Sequence, residues 1–252
     1  MFLAHDVTDW LVYSKQWQMT WSYRAAALYA RCRRRGLWMT TVWLIRHAES
    51  EANIGLPTIS PETIKLTDRG VKQAERIAAY FTHKPDLLIT SSYIRTKQTA
   101  YPALRRFPRC EHEEWPVHEF TYLATPEMQY TTKHDRLPLV NAFWQRRDPH
   151  YVDGEGAESF VDFMRRVRSI IERLQTAEEN FIAMFSHEQF IRAVIWSLLV
   201  ETDDIGADKM KRFKSFLSAF TMPNGAILKV QLEKGEAPWF SSIITTHLAS
   251  LP

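Results

Sequence analysis

Two short apolar runs that both end in histidine constrain the fold of this chain most strongly. Residues 42–45, Val-Trp-Leu-Ile, lead directly into Arg46 and His47. Residues 181–185, Phe-Ile-Ala-Met-Phe, lead through a serine into His187. Apolar runs of this length are typical of strands buried on both faces of a parallel sheet. Because ligands bind at the carboxyl ends of such strands, two neighbouring strands of this kind would bring both imidazoles to one pocket.

The chain after residue 38 alternates such runs with stretches of helical period, which favours an α/β sheet protein. Thr67 is the predicted N-cap of a helix whose buried face carries Val71, Ala74, Ile77, Ala78 and Phe81. A second apolar stripe at helical spacing follows within residues 160–174. The remaining predictions are strands at 87–90, 226–232 and 239–245 and a buried helix at 191–199.

A third strand adds an arginine to the two histidines. The predicted strand at residues 87–90 leads into Ser-Ser-Tyr-Ile and then Arg95. Arg95 is therefore expected at the same end of the sheet as Arg46. Guanidinium groups present forked donors that match phosphate oxygens, so two arginines beside two histidines predict an anion site.

Residues 123–156 differ from the rest of the chain. They hold Pro126, Pro138 and Pro149, many polar side chains and several aromatic ones, with weak periodicity. A long irregular insertion in a compact domain is usually a lid or a binding loop. The alternative is a surface excursion that only packs against the domain.

Composition sets the broad class. The chain has 252 residues, of which 45% are hydrophobic and 24% charged, with a formal charge of +3, as in an ordinary globular protein. Cys32 and Cys110 are too few for a disulfide framework, and no apolar run approaches the roughly 20 residues that span a bilayer. We expect a cytoplasmic protein without a nucleic-acid or membrane partner; these patterns predict no particular oligomeric state.

Residues 1–38 look unlike the domain that follows, predicted at 39–252. They interleave Trp10, Trp17, Trp21 and Trp38 with basic residues and include three consecutive arginines at 33–35. Three interpretations stay open: an extension without a specific role, a segment that contacts a membrane surface or nucleic acid, or a start site that belongs at Met39. The run Cys-Glu-His-Glu-Glu at residues 110–114 is predicted to be a solvated surface stretch rather than a metal site.

Motifs in five places resemble the histidine phosphatase superfamily, the phosphoglycerate-mutase-like proteins. Residues 46–50, Arg-His-Ala-Glu-Ser, with Asn53, resemble the family's Arg-His-Gly-Glu-Ser/Thr-x-x-Asn signature. The match runs from about Thr41 to Leu232, and five motifs in the family's order are far more specific than one. The other four are Leu-Thr-Asp-Arg-Gly-Val-Lys-Gln-Ala at 66–74, Ser-x-x-x-Arg-x-x-Gln-Thr-Ala at 91–100, Gly-Ala-Glu-Ser at 156–159 and Ser-His-Glu at 186–188.

The resemblance implies a three-layer α/β/α sandwich with a central, mostly parallel sheet, to which residues 123–156 add a lid-like insertion. The chain departs from the family at three glycine positions. Ala48 follows the nucleophile position, and Ser186 and Glu188 flank His187 where the family usually has Gly-His-Gly. Glu188 is expected to add negative charge near the site.

The resemblance also implies roles for the site residues in the hydrolysis of a phosphomonoester. His47 would attack phosphorus in line, and water would hydrolyse the phosphohistidine. Arg46, Arg95 and His187 would hold the phosphate oxygens, and Asn53 would add a hydrogen bond. Glu119 would protonate the leaving oxygen and then deprotonate water. No metal or cofactor is implied, because the arginines neutralise the phosphate.

A neutral imidazole, whose ordinary pKa is near 6.5, is a competent nucleophile at neutral pH. The expected substrate is a small phosphorylated metabolite. The alternatives are a phosphoglycerate mutase, a phosphoprotein phosphatase, a phospho-ligand-binding protein without turnover, and a generic α/β ligand-binding protein if the motifs mislead.

Overall fold

The computed structural model describes residues 39–200, 205–233 and 235–249. The expectations for residues 1–38 lie outside these described residues. Within them, no helix is long and apolar enough to cross a membrane. The described strands are β1 (Met39–Arg46), β2 (Leu87–Thr90), β3 (Glu111–Glu114), β4 (Phe181–Ser186), β5 (Ile227–Glu233) and β6 (Trp239–Phe240).

These strands form one mostly parallel sheet in the order β3-β2-β4-β1-β5-β6. The pairs β3-β2, β2-β4 and β4-β1 are parallel, and β5 and β6 complete one side by antiparallel pairing. The two histidine-tipped strands are direct neighbours, with Arg46 opposite Ser186 in the register. The predicted α/β sheet is therefore confirmed.

Helices cover both faces of the sheet, because the buried strands are apolar on both sides. Val42 and Leu44 of β1 face one apolar cluster, while Trp43 and Ile45 face the other. The first cluster includes α5 (Phe160–Gln175), α6 (Glu188–Leu199) and α7 (Ala207–Ala219); the second includes α1 (Asp68–Tyr80) and α2 (Ile94–Arg106). The result is the expected three-layer sandwich.

The helix after Thr67 forms as predicted, and four of the five residues expected on its buried face are buried: Ala74, Ile77, Ala78 and Phe81. Thr67 is the N-cap, and its hydroxyl accepts a hydrogen bond from the Gly70 amide. Val71, which was expected on the buried face, is 46% exposed. Gly70 and Gln73 are buried instead, because they pack against the loop that follows β1.

Three other elements differ from the sequence prediction. The run at residues 110–114 lies on the surface as expected, but four of its residues form the edge strand β3. The strand predicted at 239–245 is limited to Trp239–Phe240, with an isolated bridge between Ile227 and Ile244. Helix α7 had no counterpart in the prediction.

Residues 123–156 are more regular than their weak periodicity suggested. They contain α3 (Thr125–Met128) and α4 (Leu137–Arg146), and α4 buries Phe143 and Trp144 in the first apolar cluster. The segment also reaches the loop that follows β1. Thr58 forms a bridge with Thr131 and accepts a hydrogen bond from the Tyr130 amide (2.7 Å). Its function as a lid stays a prediction.

We expect a chain that begins at Met39 to keep its fold and its activity. Met39 and Thr40 already pair with Glu233 and Leu232, so this truncation leaves β1 complete. The test is thermal unfolding together with the turnover of p-nitrophenyl phosphate in EDTA, measured on both chain lengths. A large loss of turnover at an unchanged melting temperature would contradict the expectation. Aggregation of the shorter chain would indicate that residues 1–38 cover apolar surface.

Candidate active site

The parallel pairing of β1 and β4 places His47 and His187 side by side. The His47 amide donates a hydrogen bond to the Ser186 carbonyl (2.9 Å), and the two imidazole centroids lie 5.2 Å apart. Both rings are buried, with exposed fractions of 4% and 0%. The expectation that two strand ends would bring two imidazoles together is therefore met.

His47 is held in one tautomer by its own loop. Its Nδ1 lies 2.8 Å from the Ala48 carbonyl oxygen, which only accepts, so the neutral ring carries its proton on Nδ1. The Nε2 atom therefore keeps its lone pair. Burial lowers the pKa of His47 well below 6.5, and the positive charges of Arg95 and Arg46 lower it further. His47 is thus a neutral imidazole with a free basic nitrogen.

His187 joins β4 to Arg95. Arg95 donates from Nη2 to His187 Nδ1 (2.9 Å) and from Nη1 to the Pro61 carbonyl (2.5 Å). Since Nδ1 accepts, the neutral His187 ring donates from Nε2 to the Ser91 hydroxyl (2.8 Å). Burial, followed by the charge of Arg95, lowers the pKa of His187 well below 6.5. The contact with Ser91 therefore fixes the ring, and Nδ1 orients the buried guanidinium of Arg95.

Arg46 is paired with the carboxylate that replaces a family glycine. Its Nη1 contacts the Met222 carbonyl and lies 3.0 Å from Glu188 Oε2. The other oxygen of Glu188 accepts from Arg192 Nη1 (2.9 Å). Glu188 therefore bridges two arginines at the first turn of α6, and the expectation of negative charge near the site is confirmed.

Glu119 lies at the amino end of α6. Its Oε1 accepts backbone hydrogen bonds from Phe120, Gln189 and Phe190 (3.2, 3.0 and 3.3 Å). Its Oε2 has no hydrogen-bond partner among the described residues. Burial raises the pKa of Glu119, Arg95 opposes this, and the charge of Glu188 raises the pKa further. The side chain is thus fixed by one oxygen while the other can carry a proton.

Asn53 lies at the rim of the site with its amide nitrogen available. Its Oδ1 accepts from the Ser50 amide (3.1 Å), the Ser50 hydroxyl (2.8 Å) and Asn224 Nδ2 (3.0 Å). The predicted donor atom, Nδ2, has no partner in the described part of the chain. Asn224 also donates to the His47 carbonyl (3.1 Å), so it ties the two residues together.

The motif residues of α1 hold the loop that carries His47. A methyl group at Gly70 would lie 2.0 Å from the Glu49 carbonyl oxygen, so only glycine permits this close approach. Gln73 accepts from the Glu49 amide (2.8 Å), and Thr67 donates to the Glu49 carboxylate (2.8 Å). From α2, Gln98 accepts from the Leu66 amide (2.8 Å). These residues position the loop that carries His47.

The segment that carries Glu119 is anchored by a separate ion pair. Glu158 pairs with Arg166 (2.5 Å), and its Oε1 accepts from the Thr121 amide (3.2 Å). Arg166 in turn donates to the carbonyls of Pro116 and His118, both at 2.9 Å. The Gly-Ala-Glu-Ser motif therefore supports the position of Glu119 from a distance.

All six residues predicted for the site lie at the carboxyl ends of the parallel strands or in the loops and the first helical turn that follow them. Three further residues belong to the same arrangement and were not predicted: Ser91, Asn224 and Arg192. Asn224 had a signal in the turn sequence Pro-Asn-Gly at residues 223–225. Arg192 had a signal in its spacing, because it follows Glu188 by four residues and such a pair meets on one face of a helix. Among the described residues, no three His, Cys, Asp or Glu side chains are grouped to hold a metal ion.

Curated relatives include the adenosylcobalamin/alpha-ribazole phosphatase of Salmonella typhimurium. It is 28% identical over 165 residues, which are 63% of this chain and 79% of that protein. A probable fructose-2,6-bisphosphatase of Schizosaccharomyces pombe is 28% identical over 161 residues, 61% of this chain and 37% of that protein.

Solved structures share the fold at low identity. The alpha-ribazole phosphatase of Shigella flexneri superposes with a TM-score of 0.58 at 23% identity, covering 76% of this chain and 90% of that one. A mutant phosphoserine phosphatase of Entamoeba histolytica in complex with phosphoserine gives a TM-score of 0.61 at 21% identity, covering 83% and 99%.

The model of the histidine phosphatase superfamily, branch 1, matches residues 42–236, which include every predicted site residue. That match spans most of the chain and agrees with the fold and with the paired histidines at the carboxyl ends of β1 and β4. The chain belongs to the histidine phosphatase superfamily.

Proposed function

We propose that this chain hydrolyses a small phosphomonoester through a phosphohistidine on His47. The observation that carries the proposal is the hydrogen bond from Nδ1 to the Ala48 carbonyl (2.8 Å), which leaves the Nε2 lone pair free beside two arginines. In the first step the Nε2–phosphorus bond forms as the bond to the leaving oxygen breaks. Glu119 delivers a proton from Oε2 to that oxygen.

In the second step water attacks phosphorus and the nitrogen–phosphorus bond breaks. Glu119, now ionised, takes the proton from the water, and His47 recovers its lone pair. Arg46 and Arg95 neutralise the charge that the equatorial oxygens share in both transition states. Asn53 adds a donor at the rim. His187 is proposed to hold phosphate oxygens, which requires its Nε2–H to turn from the Ser91 hydroxyl to the phosphate. Its Nδ1 accepts from Arg95, which supports a second role in aiming that guanidinium.

The substrate class is proposed to be a small phosphorylated metabolite. Residues 123–156 meet the loop after β1 through the bridge between Thr131 and Thr58 and through Arg136, which donates to the Thr58 hydroxyl (3.3 Å). A segment that covers the strand ends would limit the size of the leaving group, and this role is proposed for residues 123–156. The names of two relatives, an alpha-ribazole phosphatase and a phosphoserine phosphatase, support the same class. The two cysteines support a reducing compartment, and we propose the cytoplasm.

The test is a turnover screen in EDTA with inorganic phosphate release as the readout. The panel contains p-nitrophenyl phosphate, alpha-ribazole 5'-phosphate, phosphoserine, 3-phosphoglycerate and a phosphopeptide. We expect hydrolysis of p-nitrophenyl phosphate and of at least one small metabolite, with the phosphopeptide turned over least. Preferred hydrolysis of the phosphopeptide would contradict the substrate class, and the absence of turnover on every compound would contradict the activity.

A further inference from the structure

The carboxylate of Glu188 is an unusual neighbour for a phosphate-binding arginine. It replaces a family glycine at the first residue of α6 and lies 3.0 Å from Arg46 Nη1. A negative charge at this distance opposes an anion that binds to the same guanidinium. Such a residue lowers the affinity of the site for phosphate unless another cation balances part of its negative charge.

Arg192 is the group that takes up this charge. Lying one helical turn after Glu188, it donates from Nη1 to Glu188 Oε1 (2.9 Å), and its side chain is only 7% exposed. Its Nε and Nη2 atoms are buried and have no hydrogen-bond partner in the described part of the chain. Glu188 is thus the carboxylate that Arg192 contacts, and the two arginines share one negative charge.

Arg192 lies among other charged side chains. Arg46 approaches Glu188 from the end of β1, and Lys214 of α7 lies close enough to Arg192 that, after burial, the charge of Arg192 lowers the pKa of Lys214. The other carboxyl group near this cluster is Glu119, whose pKa is raised by burial. Two arginines therefore contact Glu188, and the fraction of its charge that reaches Arg46 depends on Arg192.

We propose that Glu188 is a positioning residue that weakens the binding of inorganic phosphate by neutralising Arg46, and that Arg192 limits this neutralisation. The proposal rests on the proposed function, because it assumes that phosphate binds at Arg46. A site with two arginines and two imidazoles would otherwise retain its product, since charge-assisted hydrogen bonds to phosphate are strong. Glu188 therefore favours product release, and Arg192 keeps enough positive charge on Arg46 for the substrate to bind.

The test compares the affinity for inorganic phosphate, measured by titration calorimetry, in the wild type and in three variants. Glu188→Gln keeps the shape and removes the charge, so phosphate is expected to bind about 3- to 10-fold more tightly, as for the loss of a partly buried charge interaction. In Arg192→Met, Glu188 pairs with Arg46 alone, so phosphate binding is expected to weaken by a similar factor. The double variant is expected to match Glu188→Gln, because Arg192 acts through Glu188.

Controls separate this role from a structural one. Each measurement is repeated in a Glu119→Gln background, which keeps that neighbouring side chain neutral. Arg192→Lys retains the charge and is expected to bind phosphate within about 2-fold of the wild type, because Arg192 contacts Glu188 through a single nitrogen that an ammonium group can replace. Arg165→Met removes an exposed arginine from an ion pair on α5, and Glu172→Gln removes an exposed charge from the same helix. Both should leave phosphate binding unchanged.

The outcomes are distinct. Weaker binding in both single variants would indicate that the cluster only holds the fold, and would overturn the proposal. A double variant as weak as Arg192→Met would place Arg192 in direct contact with phosphate and would also overturn it. A wild type that fails to bind phosphate while its melting curve is normal would contradict the proposed function itself. Opposite shifts in the two single variants would support the proposal.

Discussion

Replacing His47 with alanine is expected to abolish turnover and the formation of phosphoenzyme together. The loss should be at least about 10⁴-fold, since a nucleophile that forms the covalent intermediate has no substitute among its neighbours. His187 lies 5.2 Å away between ring centroids, but both of its nitrogens are engaged with Arg95 and Ser91. It cannot take over the attack without breaking the contact that aims Arg95.

The measurement is a rapid quench with a labelled phosphomonoester under conditions that avoid acid. The wild type should retain a label that is labile in acid and stable in base, as expected for phosphohistidine. His47→Asn, which keeps a polar side chain of similar size, should retain none, and its melting temperature reports on the fold. His112→Ala removes an exposed histidine from the edge strand β3 and serves as the matched control. A label on serine or aspartate would overturn the assignment of His47.

The sequence was sufficient to predict the centre of the sheet because β1 and β4 are apolar on both faces. Because both faces are buried, each strand is an uninterrupted apolar run, and such a run can be recognised without knowledge of its partner strands. The strand β3, by contrast, is Glu-His-Glu-Glu and has no apolar residue. It forms because its backbone pairs with β2. That pairing cannot be recognised in the hydrophobic pattern of the strand itself.

Helix α4 was missed for a related reason. Its buried residues are the adjacent Phe143 and Trp144, so its sequence carries no stripe at helical spacing. Its aromatic side chains find their partners from elsewhere in the chain, including Phe120 and Phe160. Such a helix is stabilised by tertiary packing, and a prediction from the local sequence cannot include that packing.

The same distinction applies to the site. Residues at strand ends were predictable, because the topology of an α/β sheet fixes where those ends meet. The contacts of Arg46 with Glu188 and of His47 with Asn224 join residues more than 140 positions apart. The sequence indicated that Glu188 would lie near the site, but its pairing with Arg46 and the position of Asn224 depend on tertiary contacts that the local pattern does not contain.

Glu119→Gln is expected to slow the hydrolysis of an alkyl phosphate far more than that of p-nitrophenyl phosphate. An alkoxide leaving group needs a proton in the transition state, whereas nitrophenolate hardly does. The alkyl ester should therefore lose on the order of 10²–10⁴ in rate, the usual contribution of general acid catalysis. With p-nitrophenyl phosphate the first step should be affected less, and phosphoenzyme should accumulate because the attacking water has lost its base.

The pH dependence gives a second readout for the same residue. The reaction needs Glu119 protonated and His47 neutral at once. Burial raises the pKa of Glu119, so it keeps its proton to higher pH than an exposed carboxyl, and burial lowers the pKa of His47, so it stays neutral to lower pH. Hydrolysis of the alkyl phosphate should fall as pH rises through the pKa of Glu119. In Glu119→Gln this alkaline decline should disappear.

The neighbouring side chain offers the matched control. His118 precedes Glu119, is half-buried, and places its ring 5.6 Å from that of Tyr93; its pKa is lowered to about 4 by burial and by Arg166. His118→Ala is expected to change the hydrolysis rates of the two substrates only slightly and by equal factors. Equal rate losses for the two substrates in Glu119→Gln, without accumulation of phosphoenzyme, would remove Glu119 from the mechanism. The next carboxyl groups to test would then be Glu155, which forms no ion pair among the described residues, and after it Glu49, Glu158 and Glu188, which are paired with arginines.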